Sequence, residues 1–247
     1  MVLTEAGRTF LPYADRAVRA LQDGSSAIER LPLADELVLG AAPAISTYVL
    51  PQLLVRFEAE HPAVRLSVRT GHSEQILDMV VRGDVQVGLA RELHHPALET
   101  MDLYEDELVL VVEPGHPLAR HRRINIDRVR DARLILFDRT SSYYDLTNAL
   151  FRTAGPPPRG VLELDHIDAA KQMVLAGLGV ALLPMTAVAG ELRSGSLRRV
   201  VLIGTPRIER RIAALRRLDG DGRSPAQVAF WSLLEAFDAA PGPSIVA

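Results

Sequence analysis

The sequence predicts an α/β protein: a long amino-terminal linker helix, then a domain of two lobes. Three observations carry this expectation. Apolar and small residues recur at alternating steps of four and three from Phe10 to Leu31. A strand–helix rhythm runs from Leu37 to Leu89 and starts again at Leu134. Between the two rhythms, the apolar run Leu108–Val112 is broken by Glu113-Pro114-Gly115-His116-Pro117, and Arg210–Leu218 later offers a return strand. Alternating strands and helices favour a parallel sheet with covering helices.

The first element is a helix from Thr4 to Leu31, with Thr4 as its cap and Pro32 as its stop. Phe10, Ala14, Ala17, Leu21, Gly24, Ile28 and Leu31 form a heptad seam of the kind that pairs helices between chains. Packing on the helix's own domain is the alternative. Leu37–Gly40 reads as a short buried strand, and the loop Ala41–Ser46 leads to a helix with Leu50, Leu53, Leu54 and Phe57 on one face. Val64, Leu66 and Val68 alternate with polar residues, as in a strand with one wet face. Gly71-His72-Ser73 turns into a helix bearing Ile76, Val80 and Val81, closed by Gly83, and Val85, Val87 and Leu89 make the third strand.

The second lobe repeats the rhythm with strand Leu134–Phe137, helix Tyr143–Thr153, strand Val161–Leu164, helix Ile167–Ala176 and strand Val180–Leu183. A final helix, Ser224–Phe237, carries Val228, Trp231, Leu234 and Phe237 and is expected to pack back on the first lobe. The expected division is 1–32 for the linker and dimerisation helix, 33–112 with 216–247 for lobe I, and 113–215 for lobe II.

Composition narrows the function. The chain has 247 residues and a net charge of -3, so nothing in the chain itself marks a nucleic-acid footprint. It contains no cysteine, which removes disulfides, thiolate metal sites and cysteine nucleophiles. Charges interrupt the first twenty residues, against an export signal, and the uncharged stretch Met173–Gly190 holds Gly177, Gly179 and Pro184, against a membrane span. No G-x-S-x-G elbow, P-loop or H-E-x-x-H occurs, and Gly177-Leu178-Gly179 precedes a strand instead of following one. His94-His95 and His116/His121 lack a third ligand at zinc spacing. The expectation is therefore no catalytic residue, no metal and no cofactor.

Several phrases, in order along the chain, resemble LysR-type transcriptional regulators. They are L-T-E-A-G-R-x-F at Leu3–Phe10, L-P-x-L-L-x-x-F at Leu50–Phe57 followed by His61-Pro62, Gly83-Asp84-Val85-Gln86-Val87-Gly88, Gly115–Ala119, and V-x-x-G-x-G-V-A-L-L-P at Val174–Pro184. Gln86 stands where the family more usually has Asp. The resemblance implies a type 2 periplasmic-binding-protein-like effector domain, a small-molecule coinducer in the interlobe cleft, and a homodimer or homotetramer. It also implies promoter DNA as a partner, reached only through a winged helix-turn-helix that would lie upstream of Met1. The expected location is the cytoplasm, with no membrane partner.

Ligands in such folds bind beyond strand ends, near helix N-termini. Ala44 stands where the family often has a hydroxyl, and Ser46 and Thr47 are the nearest substitutes, either as ligand donors or as helix caps. His72 and Ser73 open the second helix; the histidine either faces the cleft or is a solvated turn residue. Arg91, past the third strand, can grip a carboxylate or stand as a loop charge. Arg139, Thr140 and Ser141 follow a strand and precede a helix, forming the richest anion cradle in the chain, with capping as the competing role. Tyr143 and Tyr144 either line the cleft or pack, and His166 is expected to face His72 across it. Phe10, Ala17, Leu21, Ile28 and Leu31 are the dimerisation candidates. The reading is an effector-sensing, oligomerising part of a regulator that binds a small anionic metabolite. The alternatives are a solute-binding protein of the same fold and an enzyme built on it.

Overall fold

The computed structural model describes residues 35–129, 131–137, 143–153, 160–218 and 223–237, with Thr4 and the helical positions 6, 7, 10, 11, 13, 14, 17 and 18. Phe10 and Ala17 are therefore helical and exposed, whereas Leu21, Ile28 and Leu31 lie outside the described residues.

The first sheet begins with strand β1 (Glu36–Ala41), whose Leu37 and Leu39 are fully buried. Pro43 then starts a short helix α1 (Pro43–Tyr48), and Leu50 starts α2 (Leu50–Glu60). Proline suits a first helical turn because the amide it lacks would have no partner there. Strand β2 (Arg65–Thr70) follows, then α3 (Ser73–Arg82) and β3 (Val87–Arg91). His72 precedes α3 and donates its backbone N–H to Gln75 Oε1 at 2.8 Å, while Gly83 ends the helix at φ +77. β1 lies between β2 and β3, parallel to both.

Strand β4 (Leu98–Val112) is fifteen residues long and belongs to both lobes. Its first part, Leu98–Glu107, pairs antiparallel with β10 (Glu209–Arg217), which also flanks β3. From Leu108 onward it pairs instead with β8 (Val180–Pro184) and β9 (Arg198–Ile203). The second sheet is completed by β6 (Arg133–Phe137), between β8 and β7 (Gly160–Leu164) and parallel to both, and by β5 (Arg123–Asn125) alongside β9. Helices α4 (Tyr144–Thr153), α5 (Ile167–Leu175) and α6 (Met185–Ser194) belong to this lobe. Gly179, just before β8, sits so close to β6 that a Cβ there would collide with the Arg133 carbonyl oxygen.

The last helix, α7 (Pro225–Glu235), packs on the first lobe. Ser224 Oγ accepts from Gln227 N at 3.2 Å and Asp35 Oδ2 accepts from Ala226 N at 2.8 Å, so two otherwise orphan amides are satisfied. Phe230, Trp231 and Leu234 enter the core with Leu37, Leu53 and Phe57, and α3 covers the opposite sheet face through Ile76 and Val80.

Three expectations need correcting. The division between sheets falls at Glu107/Leu108 and before Glu209, not at 112/113 and 215/216, because the uncharged apolar run Leu108–Val112 is already interior to the second lobe. Residues 43–48 form a helix where a loop was expected, so Ser46 and Thr47 lie inside it and do not open the next one. Val228, expected in the apolar face of α7, is 47% exposed; the buried face is Ala226, Phe230, Trp231, Leu233 and Leu234.

One ion pair fastens this arrangement and makes it acid-sensitive. Arg216 lies over the Trp231 ring, Cζ 3.9 Å from its centroid, and donates to both Glu99 oxygens at 2.7 and 3.0 Å. These hydrogen bonds hold the Glu99 carboxyl below its ordinary range, with burial opposing them. A depressed carboxylate contributes stability above its unfolded pKa, and that contribution is lost as pH falls through the folded value. Glu99→Gln is therefore expected to flatten the fall in melting temperature on acidification below about pH 5 relative to the unaltered chain, as followed by circular dichroism.

Candidate functional site

The change of sheet within β4 places its charged segment at the bottom of a cleft between the lobes. Ala42–Ile45 wall one side of the cleft and Ser73 with His72 another; Tyr143, Asp165 and Ile167 face them from the second lobe. Asp106 of β4 and Arg210 of β10, partners in the antiparallel ladder, sit at the base. The enclosed space is about 30 Å³, room for very few non-hydrogen atoms in this conformation.

The two charged residues at the base are almost fully covered, Asp106 at 4% and Arg210 at 6% exposure. Burial raises the Asp106 carboxyl, opposed by Thr186 and by the nearby Arg210 charge. Thr186 donates its hydroxyl to Asp106 Oδ2 at 2.6 Å and its backbone N–H to Oδ1 at 3.3 Å, so Asp106 also ties the start of α6 to β4. The Arg210 guanidinium stands 4.0 Å above the Tyr143 ring, a cation–π contact. Among the described residues its buried Nε has no hydrogen-bond acceptor. Burial pushes the Tyr143 hydroxyl up to about 12, so it stays a neutral hydroxyl at ordinary pH. A buried guanidinium N–H without an acceptor is costly, and a ligand oxygen placed there would remove that cost.

The expected site residues divide into those the cleft brings together and those it does not. His72 and Ser73 line it. Ser73 is buried, and its Oγ accepts from Arg91 N at 3.4 Å. Ser46 and Thr47 turn their hydroxyls back to the Pro43 carbonyl at 2.8 and 3.0 Å and are not part of the lining. The Arg91 guanidinium is paired with Glu74 outside the cleft. His166 is not part of the lining: its side chain is half exposed and its Nδ1 lies 3.9 Å from Asp168 Oδ2, while its neighbours Asp165 and Ile167 line the cleft. Arg139, Thr140 and Ser141 lie outside the described residues.

Sequence reasoning passed over Asp106 and Arg210. A signal was available in strand parity, since Arg210 shares a face with Ile212 and Ala214, and Asp106 with Leu108 and Leu110. A charged residue on the apolar face of a strand is a buried charge.

A second hollow of about 100 Å³ lies in the other lobe, between β9 and the segment Thr205–Ile208. It is roomier, but its Arg199 is already engaged with Glu107 at 2.6 Å. In the cleft, by contrast, a buried donor without an acceptor among the described residues meets several polar groups. Among the described residues no group of three metal-ligating side chains occurs, and no helix is long and apolar enough to cross a membrane.

Two lobes hinged on shared strands, with a polar base between them, define a ligand-sensing clamp. Residues 31–238 match the LysR substrate binding domain, and the chain belongs to that family. It is 29% identical over 200 residues to the uncharacterised HTH-type transcriptional regulator YusT of Bacillus subtilis, covering 80% of this chain and 65% of that one. It is 31% identical over 208 residues to a probable RuBisCO transcriptional regulator of Cyanidioschyzon merolae, covering 80% and 68%. The chain thus spans about two thirds of the length of these curated relatives. Among solved structures, the regulatory domain of CcmR from Synechocystis in complex with 2-PG superposes with a TM-score of 0.73 at 22% identity, covering 84% of this chain and 99% of that one. The BenM effector binding domain with benzoate gives 0.67 at 18% identity, covering 83% and 92%. At these identities the structures speak for the fold, and the sequence family speaks for the effector-binding domain of a LysR-type regulator.

Proposed function

We propose that the cleft binds a small anionic metabolite through Arg210, and that this binding controls a DNA-reading segment joined to the amino-terminal end. The observation that carries the anion is the buried Arg210 Nε, which has no acceptor among the described residues and stands at the base of the cleft beside Tyr143. Ser73 and His72 from the first lobe can donate to the anion, and Asp165 from the second can accept from a ligand hydroxyl. A ligand touching both lobes favours whichever lobe arrangement lets it touch both at once, and so shifts the population between arrangements. In a paired regulator such a shift alters the spacing of two DNA-reading units, which need a fixed separation. The relatives named as HTH-type regulators support this reading, as does the exposed apolar surface of Phe10 and Val18 for pairing through the amino-terminal helix. It makes the chain a sensor, not an enzyme, working in the cytoplasm as a homodimer or homotetramer.

The test is a thermal-shift screen of small carboxylates and phosphate esters, including benzoate, shikimate and 2-PG, followed by calorimetry on any hit. A ligand at a hundred times its Kd stabilises by about 2.7 kcal/mol and raises the melting temperature by several degrees. Stabilisation only by neutral or cationic compounds would defeat the anion reading.

A further inference from the structure

Just beside the cleft, a second polar cluster joins the lobes directly. Tyr48 ends α1, whose preceding turn walls the cleft, and its hydroxyl donates to Asp168 Oδ1 of α5, one residue beyond Ile167 on the opposite wall. Lys171, one turn further along α5, holds its Nζ 3.9 Å from Asp168 Oδ1 and 4.7 Å from the Tyr48 ring centroid. The same Nζ is 2.9 Å from Glu191 Oε1 of α6 and donates to the Ala187 carbonyl at 3.2 Å. Lys171 is the only lysine in the chain, and its side chain is 9% exposed. The Tyr48 ring packs against the cores of both lobes.

We propose that Tyr48 and the Asp168–Lys171–Glu191 socket form a reversible clasp that holds the two lobes together and sets the balance between closed and open cleft. The division of the cluster supports reversibility. Asp168, Lys171, Glu191 and Ala187 all belong to the second lobe: when the lobes part, Lys171 stays bonded to Glu191 and to the Ala187 carbonyl, and Asp168, about a third exposed, is met by water. Only Tyr48 belongs to the first lobe. Opening therefore breaks one charge-assisted hydrogen bond and one ring–cation contact, and leaves no buried charge alone. A clasp with charged groups on both lobes would strand a bare charge on opening, at several times the cost. Burial and the Asp168 bond push the Tyr48 hydroxyl up to about 12, opposed by Lys171, so it remains a donor across the ordinary pH range. Burial lowers Lys171, but Tyr48 and Glu191 outweigh it, and its charge is held. Tyr48 is thus a positioning residue. Nothing in this role depends on which ligand the cleft takes, so its failure and that of the anion reading are separate.

The absence of cysteine makes the clasp directly measurable. Glu58→Cys on exposed α2 and Gln172→Cys on exposed α5 place one spin label on each lobe, and pulsed dipolar spectroscopy on protein diluted with unlabelled chain reads the interlobe distance. In the otherwise unaltered chain, without ligand, a dominant short distance is expected. Tyr48→Phe keeps the ring and removes the hydroxyl; a hydrogen bond to a charged group is worth enough that the closed-to-open ratio should fall by roughly tenfold or more. Asp168→Asn should act in the same direction, and the double variant should add little to either alone. Arg91→Ala breaks a pair confined to the first lobe and should leave the distances unchanged. An unchanged distribution in both Tyr48→Phe and Asp168→Asn, with melting curves showing folded protein, would overturn the clasp.

Discussion

Arg210→Ala is expected to lower the affinity for a cleft-bound anion by between roughly thirtyfold and a few thousandfold, the range for losing one partner of a buried charged hydrogen bond. The size of the effect follows from where Arg210 sits. It is the second residue of β10, its backbone paired with Asp106 of β4 and its side chain buried, so a bound anion does not have to order a mobile arginine. Its guanidinium stacks on the Tyr143 ring, and the buried Nε has no acceptor among the described residues. Arg210→Lys keeps the charge but loses the planar fork and the stacked geometry, and should recover only part of the affinity. The alanine variant also takes a positive neighbour from Asp106, whose carboxyl burial already raises; that group keeps its two Thr186 bonds and moves further toward the neutral acid. The chain should therefore remain folded, with isothermal calorimetry showing the loss of binding. Equal affinity in the alanine variant would remove Arg210 from the site.

Phe230→Ala is expected to be the most destabilising single truncation in the first lobe, at about 3–5 kcal/mol. Phe230 is fully buried, and its ring meets Phe57 edge-on at 5.3 Å between centroids. That contact closes α7 over α2 and β1, so its loss opens a cavity in the core that binds the end of the chain to the beginning of the domain. For a domain of this size the melting temperature should drop by about ten degrees or more. Val228→Ala, two residues away on the exposed face of the same helix, should change stability by less than about 0.5 kcal/mol. Thermal melts of the two variants side by side check both statements, and similar losses would show α7 to be packed on another face.

Val228 also shows where sequence reading met its limit. The α7 helix was legible from its apolar content and its Ser224-Pro225 start, but with apolar residues at nearly every position the spacing did not fix which face turns inward. Contacts with Phe57 and Leu37 decide it, and those come from the far end of the sequence. The strands β1, β6 and β8 were legible because they are continuous apolar runs, and β3 because Val87 and Leu89 alternate, although Val85, expected in it, lies before its start. The first half of β4, Leu98–Glu107, was not: Glu99, Asp102, Glu105, Asp106 and Glu107 give it the look of a loop. It is held as a strand by Arg210, Arg211 and Arg216 of β10, each placed opposite or beside an acid. The lobe boundary was misplaced for the same reason, since the pairing of charged strands carries no apolar period.

The candidate site was half legible. His72 and Ser73, which line the cleft, were legible because they open a helix at a strand end. Ser46 and Thr47 were not placed correctly, since Pro43 starts a helix three residues earlier than expected and their hydroxyls turn to its carbonyl. Asp106 and Arg210 were missed because each looks, in sequence, like one charge among many in its strand. Only their parity with buried neighbours separates them from Glu105 and Arg211, which also face each other across the ladder.

The most direct test of the cleft as the anion site is hydrogen exchange, read by mass spectrometry with and without a small organic anion that raises the melting temperature. The account predicts protection in peptides from both lobes, those containing Ala42–Ile45, His72-Ser73, Asp165–Ile167 and Arg210–Ile212. Protection confined to Arg199–Ile208, the wall of the second hollow, with the cleft peptides unchanged, would contradict it.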